Sequence, residues 1–145
     1  MNIGVFPGTF DPFTIGHKDI VDRALLMFDK VIVMVGINSS KPPVFEALSR
    51  RTNIRDIFRT YDNVQVEEYE GLTTDFCKMH NVTFIIRGCR NATDFAYEQN
   101  LAHVNKELFG IDSVFFVTDP SLQHISSSLV RELRRFGKDY KQFLP

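Results

Sequence analysis

The feature that most constrains the fold of this chain is an alternation of short apolar runs with amphipathic helical segments. Five β-rich runs cover residues 2–6, 31–37, 64–69, 83–87 and 113–117. They are almost continuously hydrophobic, which is typical of strands that are covered on both faces of a parallel sheet. Apolar residues recur at helical spacing after each run, for example Val21, Leu25 and Phe28. This order predicts an α/β fold, a doubly wound, Rossmann-like sheet of five parallel strands in a single domain over residues 1–145.

Charge and composition argue against several other classes of protein. The 145-residue chain has a formal net charge of −1 and 43% hydrophobic residues, as in an ordinary globular domain. A charge so close to zero provides no general attraction to nucleic acid or to a membrane surface, so an anion site needs a local basic cluster. The apolar runs are far shorter than the ~20 residues of a membrane span, and the first residues do not resemble a signal peptide. We therefore expect a cytoplasmic protein with no nucleic-acid partner and no membrane partner.

The expected topology also indicates where a ligand would bind. In an open α/β sheet, ligands lie beyond the carboxyl ends of the strands, near the point at which the strand order reverses. The segments that follow the five strands are residues 7–17, 38–45, 70–74, 87–94 and 118–128. We expect the first and the fourth of these segments to lie side by side.

The first segment has the residues of a phosphate-binding loop. Gly8 and Gly16 allow the backbone to approach a bulky anion closely, and Thr9 supplies a hydroxyl and an amide. Gly16 and His17 open a helix, whose free N–H groups and positive dipole end favour phosphate. A tight turn before a helix would also account for the glycines. The whole string from Gly8 to His17 nevertheless favours a nucleotide-phosphate site.

The fourth segment places two arginines around a glycine directly after an apolar strand, as Arg87-Gly88-Cys89-Arg90. An arginine can bind phosphate through two parallel hydrogen bonds, and the end of a strand holds it rigidly. The alternative is a surface pair bridged to Asp94 or Glu98, which would contribute about 0–1 kcal/mol. The expected proximity to the first segment favours the phosphate-binding interpretation.

The remaining segments are ambiguous on their own. The three serines at 126–128 begin a helix, and they either cap it or form a second phosphate cradle. Lys41 is a solvated loop lysine or a point charge for a phosphate. Thr73 is, taken alone, a plain helix cap, and His124 either lines a nucleotide pocket or has no part in it. No spacing of histidines, cysteines or carboxylates indicates a metal site formed by the protein itself.

Together these segments resemble the T-x-G-H and I-S-S-x motifs of the nucleotidyltransferase superfamily. The motifs read Thr14-Ile15-Gly16-His17 and Ile125-Ser126-Ser127-Ser128 in this chain. Within the superfamily, the chain from Ile3 to Pro145 resembles the bacterial phosphopantetheine adenylyltransferases. Three strings carry that more specific resemblance, FPGTFDP at 6–12, IRGCR at 86–90 and DFAYE at 94–98.

The resemblance implies an enzyme of coenzyme A biosynthesis that transfers an adenylyl group from ATP to the phosphate of 4′-phosphopantetheine. It implies dephospho-coenzyme A and pyrophosphate as products, coenzyme A as a feedback ligand, Mg²⁺ as cofactor and a homohexameric assembly. Two alternatives stay open. One is the same fold acting on another acceptor, such as nicotinamide mononucleotide or a cytidylyl acceptor, and the other is a nucleotide-sensing module without turnover.

The resemblance also implies roles for individual residues. Those expected to hold the acceptor are Thr9, Lys41, Thr73 and Arg87. Those expected to bind ATP are Thr9, Phe10, His17, Gly88, Cys89, Arg90, Glu98, Leu122, Gln123, His124, Ile125, Ser126, Ser127 and Ser128. Mg²⁺ is expected to be held mainly by the ATP phosphates, as is usual for this ion.

The charge of the implied acceptor limits what His17 can do. A phosphate monoester has a second pKa near 6, so it is mostly a dianion at pH 7 and needs no general base. The remaining work is orientation, worth ~7–11 kcal/mol, and charge stabilisation, worth ~2.7–4 kcal/mol for one well-placed donor. We therefore expect His17, Lys41 and Arg90 to act in catalysis by stabilising charge on the α-phosphate, and Arg87 to place the acceptor.

Overall fold

A computed structural model describes residues 1–38, 40, 42–44 and 47–145, with no account of the side chains of residues 47 and 48. Its five strands are β1 (Ile3–Gly8), β2 (Lys30–Gly36), β3 (Val64–Tyr69), β4 (Phe84–Cys89) and β5 (Asp112–Val117). They form one sheet in the order β3-β2-β1-β4-β5, and every neighbouring pair is parallel. The expected α/β fold class is therefore confirmed. β1 and β4 extend past their apolar runs because Gly8 and Gly88 still pair, with Val35 and Phe116.

Helices follow the strands in regular alternation. They are α1 (Ile15–Ala24), α2 (Ala47–Ile57), α3 (Thr73–Met79), α4 (Ala92–Phe109) and α5 (Ser127–Arg135), with 3₁₀ turns at Pro120–Leu122 and Lys141–Phe143. Asn91 caps α4 by accepting the Asp94 N–H, and the helix ends at Gly110, whose φ of 70° suits a residue without Cβ. None of the helices in the described ranges is both long and apolar enough to cross a lipid bilayer.

Two apolar clusters lie on opposite faces of the sheet, which explains why the strand sequences are continuously hydrophobic. Val31, Val33 and Val35 of β2 belong to the cluster that also holds the buried side chains of α1 and α2. Ile32 and Met34, the alternate residues, belong to the cluster that holds those of α3. Residues 31–35 of β2 are thus all buried, alternately on one face and the other, as the period of two requires.

The long helix α4 has an apolar stripe that the sheet does not cover. Every residue of the helix is at least partly exposed. The stripe residues Tyr97, Leu101, Val104 and Leu108 are 42% to 68% exposed. α4 contacts the sheet at β4 and β5, and its apolar stripe stays exposed to solvent.

The strand order reverses between β1 and β4, which pair directly through Gly4 with Phe84 and Val5 with Ile85. The loops after these two strands therefore leave the same edge of the sheet next to each other, as expected. A cleft at this edge is the place where an open α/β sheet binds its ligand.

Candidate active site

Three phenylalanine rings from β1 and the loop after it surround the imidazole of His17. The ring centroids of Phe6, Phe10 and Phe13 lie 6.2, 5.0 and 5.3 Å from that of His17. Phe10 and Phe13 are buried and belong to the main core cluster, so the loop is anchored by apolar burial. The imidazole of His17 therefore packs against buried aromatic rings at the carboxyl end of β1.

The hydrogen bonds of His17 determine which ring nitrogen carries the proton. Thr14, at the N-cap of α1, donates its backbone N–H to His17 Nδ1 at 2.9 Å, while its Oγ1 accepts the His17 N–H at 3.4 Å. Because Nδ1 accepts, we assign the proton of the neutral ring to Nε2. Burial, together with the charges of Arg87 and Arg90, lowers the pKa of His17 to about 4. His17 is therefore a neutral hydrogen-bond donor at pH 7, which agrees with the expectation that it is not a general base.

Arg87 leaves the end of β4 and is held by a carboxylate of α4. Its Nε and Nη2 donate to the two carboxylate oxygens of Glu98 at 2.8 and 2.5 Å, and Nη1 donates to the Pro7 carbonyl at 3.3 Å. The Glu98 side chain is only 12% exposed. Such a paired fork fixes the plane of the guanidinium, and N–H bonds on its outer side stay available to an anion.

Arg90 makes the second pair that the sequence suggested as an alternative to phosphate binding. Its Nε donates to Asp94 at 3.1 Å, and this pair is more exposed than that of Arg87 with Glu98. Both bridges are present, and both arginines also line the cleft. Pairing and cleft lining are thus compatible in this fold.

Among the residues that the structure describes, three adjoining cavities lie along the cleft. The Arg90 cavity, of about 280 Å³, is lined by His17, Gly88, Arg90, Asp94, Tyr97, Glu98, Thr118, Ile125, Ser126 and Ser127. The Thr9 cavity, of about 240 Å³, is lined by Phe6, Pro7, Gly8, Thr9, Phe10, Asp11, His17, Arg87, Gly88, Ser127 and Arg131. The Thr73 cavity, of about 110 Å³, is lined by Pro7, Thr73, Ile85, Arg87, Glu98, Leu101, Ala102, Asn105 and Ser113. His17 lines the first two, and Arg87 lines the last two.

The serine run caps α5 and also lines the cleft. Ser126 caps α5 by accepting the Leu129 N–H at 3.0 Å, and Ser127 donates to the Pro12 carbonyl at 2.7 Å. Ser128 is exposed and accepts from Arg131 at 3.1 Å. Ser126 and Ser127 also line the Arg90 cavity at the start of the helix, where its free N–H groups lie.

Several expected site residues lie away from the cavities or outside the described residues. Cys89 is buried, and burial followed by the charge of Glu98 raises the pKa of its thiol. The segment 122–124 lines none of the three cavities, although Gln123 donates to the Arg90 carbonyl at 3.4 Å and the ring of His124 meets that of Phe143 at 6.0 Å. Lys41 lies outside the described residues.

The interpretation of Thr73 as a plain cap is wrong. Leu72 occupies the N-cap position of α3 and makes no side-chain cap bond, and Thr73 is the first helical residue. Its backbone is therefore inside the helix, and its side chain lines the Thr73 cavity beside Arg87 and Glu98.

Three residues that hold the first loop were not identified as site residues from the sequence. Arg50 of α2 donates to the carbonyl of Thr9, Arg131 of α5 donates to that of Asp11 at 2.8 Å, and Asp11 accepts the Val44 N–H at 2.9 Å. Arg131 lies one turn into α5, the helix that begins with the serine run, and this position was the sequence signal for a place near the site. Asp11 lies within the string 6–12 that carries the resemblance, whereas Arg50 had no such signal, because a single charged residue in a helix is ordinary.

Carboxylates near the cleft are engaged by arginines. Among the residues described here, no three His, Cys, Asp or Glu side chains cluster closely enough to hold a metal ion. Asp94 and Glu98 are the acidic residues of the Arg90 cavity, and each is paired with an arginine. The donors of the cavity therefore suit a polyanion better than a bare cation.

The sequence is similar to curated proteins along its whole length. It is 43% identical over 145 residues to a phosphopantetheine adenylyltransferase of Christiangramia forsetii, covering 100% of this chain and 96% of that protein. It is 46% identical over 144 residues to a phosphopantetheine adenylyltransferase of Cytophaga hutchinsonii, covering 99% and 96%. Residues 5–133 match the cytidylyltransferase-like family.

A solved structure shares the fold at much lower identity. It is a bifunctional NMN adenylyltransferase/ADP ribose pyrophosphatase from Francisella tularensis, complexed with AMP and a manganese ion. The TM-score is 0.72 at 19% identity, over 99% of this chain and 44% of that one, so this likeness concerns the fold alone. The curated relatives are far more similar in sequence, at 43% and 46% identity, and they confirm the family that the two motifs indicated. This chain belongs to the phosphopantetheine adenylyltransferases, nucleotidyltransferase enzymes within the cytidylyltransferase-like family.

Proposed function

We propose that the cleft transfers the adenylyl group of ATP to 4′-phosphopantetheine, giving dephospho-coenzyme A and pyrophosphate in coenzyme A biosynthesis. The relatives are named phosphopantetheine adenylyltransferases, which supports 4′-phosphopantetheine as the acceptor. The observation that carries the proposal is the place of His17, a neutral donor where the Arg90 and Thr9 cavities meet. Arg90 lines one of these cavities and Arg87 the other. One hydrogen-bond donor and two cationic side chains therefore lie around the junction of the two cavities.

The proposed chemistry is a direct in-line displacement. An oxygen of the acceptor phosphate dianion attacks the α-phosphorus of ATP and forms the new P–O bond. The bond from that phosphorus to the bridging oxygen breaks, and its electron pair leaves with pyrophosphate. No proton has to be removed from the nucleophile. The protein therefore has to orient two polyanions and to stabilise charge on the α-phosphate.

The residues of the cleft fit that division of work. His17 donates Nε2–H to the α-phosphate, and Arg90 and Lys41 add positive charge there. Arg87 and Thr9 hold the acceptor phosphate between the Thr9 and Thr73 cavities. Pairing with Glu98 keeps the Arg87 guanidinium in one orientation before the substrate arrives, which lowers the entropic cost of binding.

The two outer cavities differ in a way that supports the placement of the substrates. The Thr73 cavity has the aliphatic side chains of Ile85, Leu101 and Ala102 together with the amide of Asn105, which suits an uncharged arm rich in amides. The Arg90 cavity adjoins the start of α5, whose N–H groups and serines suit the triphosphate. ATP binding by residues 88–90, 98 and 122–128 is part of the proposal.

We further propose Mg²⁺ as the cofactor, held mainly through the ATP phosphates. The paired state of Asp94 and Glu98 supports this, because neither carboxylate is offered to an ion alone. The ion would reduce the negative charge of the triphosphate, as it commonly does in phosphoryl-transfer enzymes. The Francisella tularensis protein is complexed with AMP and a manganese ion, so a protein that contains this fold also binds a divalent ion.

Residues 1–145 are proposed to form one nucleotidyltransferase domain, active in the cytoplasm as a homohexamer, with coenzyme A as a feedback ligand. The open apolar face of α4 supports the assembly, because Val104 and Leu108 are exposed, large and apolar, and line none of the three cavities. Repetition of one such face by symmetry produces a closed oligomer.

Release of pyrophosphate tests the proposed function. The protein is incubated with Mg²⁺ and either ATP or CTP, together with 4′-phosphopantetheine, nicotinamide mononucleotide or glycerol phosphate. We expect rapid release only with ATP and 4′-phosphopantetheine. Release with another pair would favour a different acceptor on the same fold. Tight ATP binding without release from any pair would favour a nucleotide sensor.

A further inference from the structure

A charged side chain is buried directly beneath the phosphate-binding loop. Arg50 of α2 is only 4% exposed, and its Nη1 donates to the carbonyl of Thr9 and, at 3.3 Å, to that of Gly36. Thr9 follows β1, and Gly36 ends β2, so one guanidinium joins the carboxyl ends of two neighbouring strands. Burying a cation costs free energy unless it is well hydrogen-bonded, which makes a buried arginine an unusual choice for a simple anchor.

The bond to Thr9 determines the orientation of one peptide group. The Thr9–Phe10 peptide is trans, as Asp11–Pro12 is the cis bond among the described residues. In a planar trans peptide, the carbonyl and the following N–H point in opposite directions. While Arg50 holds the Thr9 carbonyl on the interior side, the Phe10 N–H therefore points the other way. Thr9 and Phe10 both line the Thr9 cavity.

The backbone of Phe10 requires such support. Its φ is 50°, in the left-handed region that bulky side chains rarely adopt. A conformation of that kind persists only where the surroundings hold it, and it is often found at ligand-binding loops. Burial of the Phe10 ring holds one side of the residue, and the bond from Arg50 holds the preceding peptide.

We propose that Arg50 is a positioning residue, which fixes the Thr9–Phe10 peptide so that the Phe10 N–H binds a phosphate oxygen of the nucleotide in the Thr9 cavity. The inference rests on the proposed function for the nature of the ligand. It differs from a structural role, in which Arg50 only ties α2 to the sheet and changes stability alone.

Arg55 provides a control on the same helix, although Arg55 is exposed where Arg50 is buried. Its Nη2 donates to the carbonyl of Val66 at 3.2 Å, so it too joins α2 to a strand through a guanidinium. Val66 belongs to β3, and neither residue lines the three cavities of the cleft. Arg50→Lys and Arg55→Lys therefore remove the same type of bond, one beneath the loop and one away from it.

Kinetics of these variants distinguish the two roles. We expect Arg50→Lys to lower kcat by about 10²-fold, because a small misplacement at the reacting centre has effects of that size. Arg55→Lys should stay within about twofold of the wild type in kcat, since it lies outside the cleft. The assay is run at a temperature where thermal unfolding curves show both variants folded. An equal kcat for the two variants would overturn the positioning role.

A spectroscopic measurement tests the ligand contact without a variant. Labelling threonine with ¹³C at the carbonyl and phenylalanine with ¹⁵N selects amides of Thr-Phe pairs, which occur here at Thr9–Phe10 and Thr83–Phe84. Phe84 begins β4, at the end of the strand away from the cleft, and serves as an internal control. We expect Mg-ATP to shift the Phe10 amide resonance and to leave that of Phe84 unchanged. The shift should be smaller in Arg50→Lys.

The outcomes separate this inference from the proposed function. A wild-type protein that releases pyrophosphate while its Phe10 amide does not respond to Mg-ATP keeps the function and overturns the inference. The same holds if the Phe10 amide of Arg50→Lys responds as in the wild type. If no acceptor supports turnover, the proposed function fails, yet the titration with Mg-ATP still decides whether the Phe10 N–H is a nucleotide contact. The wild-type titration also stands if Arg50→Lys does not fold.

Discussion

At the scale of single residues, the neutral state of His17 is the property on which the mechanism depends. Thr14 occupies Nδ1 from the backbone, so the ring can offer only Nε2–H to a phosphate. A glutamine side chain places an amide N–H near the position of Nε2, whereas the shorter asparagine places it near that of Nδ1. The two amides therefore distinguish which nitrogen matters.

We predict that His17→Ala lowers kcat by about 10²–10³-fold with a smaller change in ATP affinity, as for the loss of one transition-state donor. His17→Gln should recover at least about tenfold of that loss, since it retains a neutral donor, whereas His17→Asn should resemble His17→Ala. Steady-state kinetics with varied ATP provide the measurement. A glutamine variant no better than the alanine variant would contradict the assignment of the proton to Nε2.

The lowered pKa of His17 also predicts how stability depends on pH. The folded protein holds the pKa at about 4, whereas the unfolded chain has the ordinary value of 6.5. Below pH 6.5 the unfolded chain binds the proton more readily, so the folded state loses stability as the pH falls toward 4. At pH 5 the loss from this residue amounts to about 2 kcal/mol.

Urea unfolding of the wild type and of His17→Gln at pH 7 and pH 5 isolates this contribution, because all other groups titrate in both proteins. We expect the wild type to lose more stability between the two pH values than the variant. Equal losses would mean that His17 is not held neutral by its surroundings.

At the scale of elements, β4 and α4 meet through the pair of Arg87 with Glu98. We predict that Glu98→Gln raises the KM for the acceptor by about tenfold, because the guanidinium loses a charged partner that fixes its plane. Asp94→Asn removes the more exposed partner of Arg90 and should change the acceptor KM less. Initial rates with each substrate varied in turn provide the comparison. An unchanged KM for the acceptor in Glu98→Gln would contradict the role of this pair in orienting Arg87.

The elements were largely predictable because their signals are local. Apolar runs identified the strands, and the order of strands and helices implied that the loops after β1 and β4 would meet. Arg50 could not be predicted, since it acts on Thr9 across a separation of 41 residues. The cap assigned to Thr73 was also wrong. Leu72, which has no side chain able to cap, occupies the N-cap position of α3.

At the scale of the whole molecule, the periodicity of α4 correctly indicated an apolar face but not what covers it. A stripe at helical spacing is the same whether it packs on the chain's own sheet or on another copy. In this structure Tyr97 and Leu101 line the cleft, so the outward part of the stripe is formed by Val104 and Leu108. The proposed hexamer gives that stripe a partner.

A charge placed within the stripe should break the assembly. We predict that Val104→Glu shifts the protein from a hexamer toward monomers, because burying an unpaired carboxylate in an apolar interface is strongly unfavourable. His103→Glu adds the same group to the preceding residue, about 100° away around the helix and outside the stripe, and should leave the hexamer intact. Light scattering after size exclusion measures the mass of each protein. Since Val104 lies outside the three cavities, activity of the Val104→Glu monomer would show that one chain holds a complete site. A Val104→Glu protein with the mass of the wild type would mean that α4 is not the surface through which the copies associate.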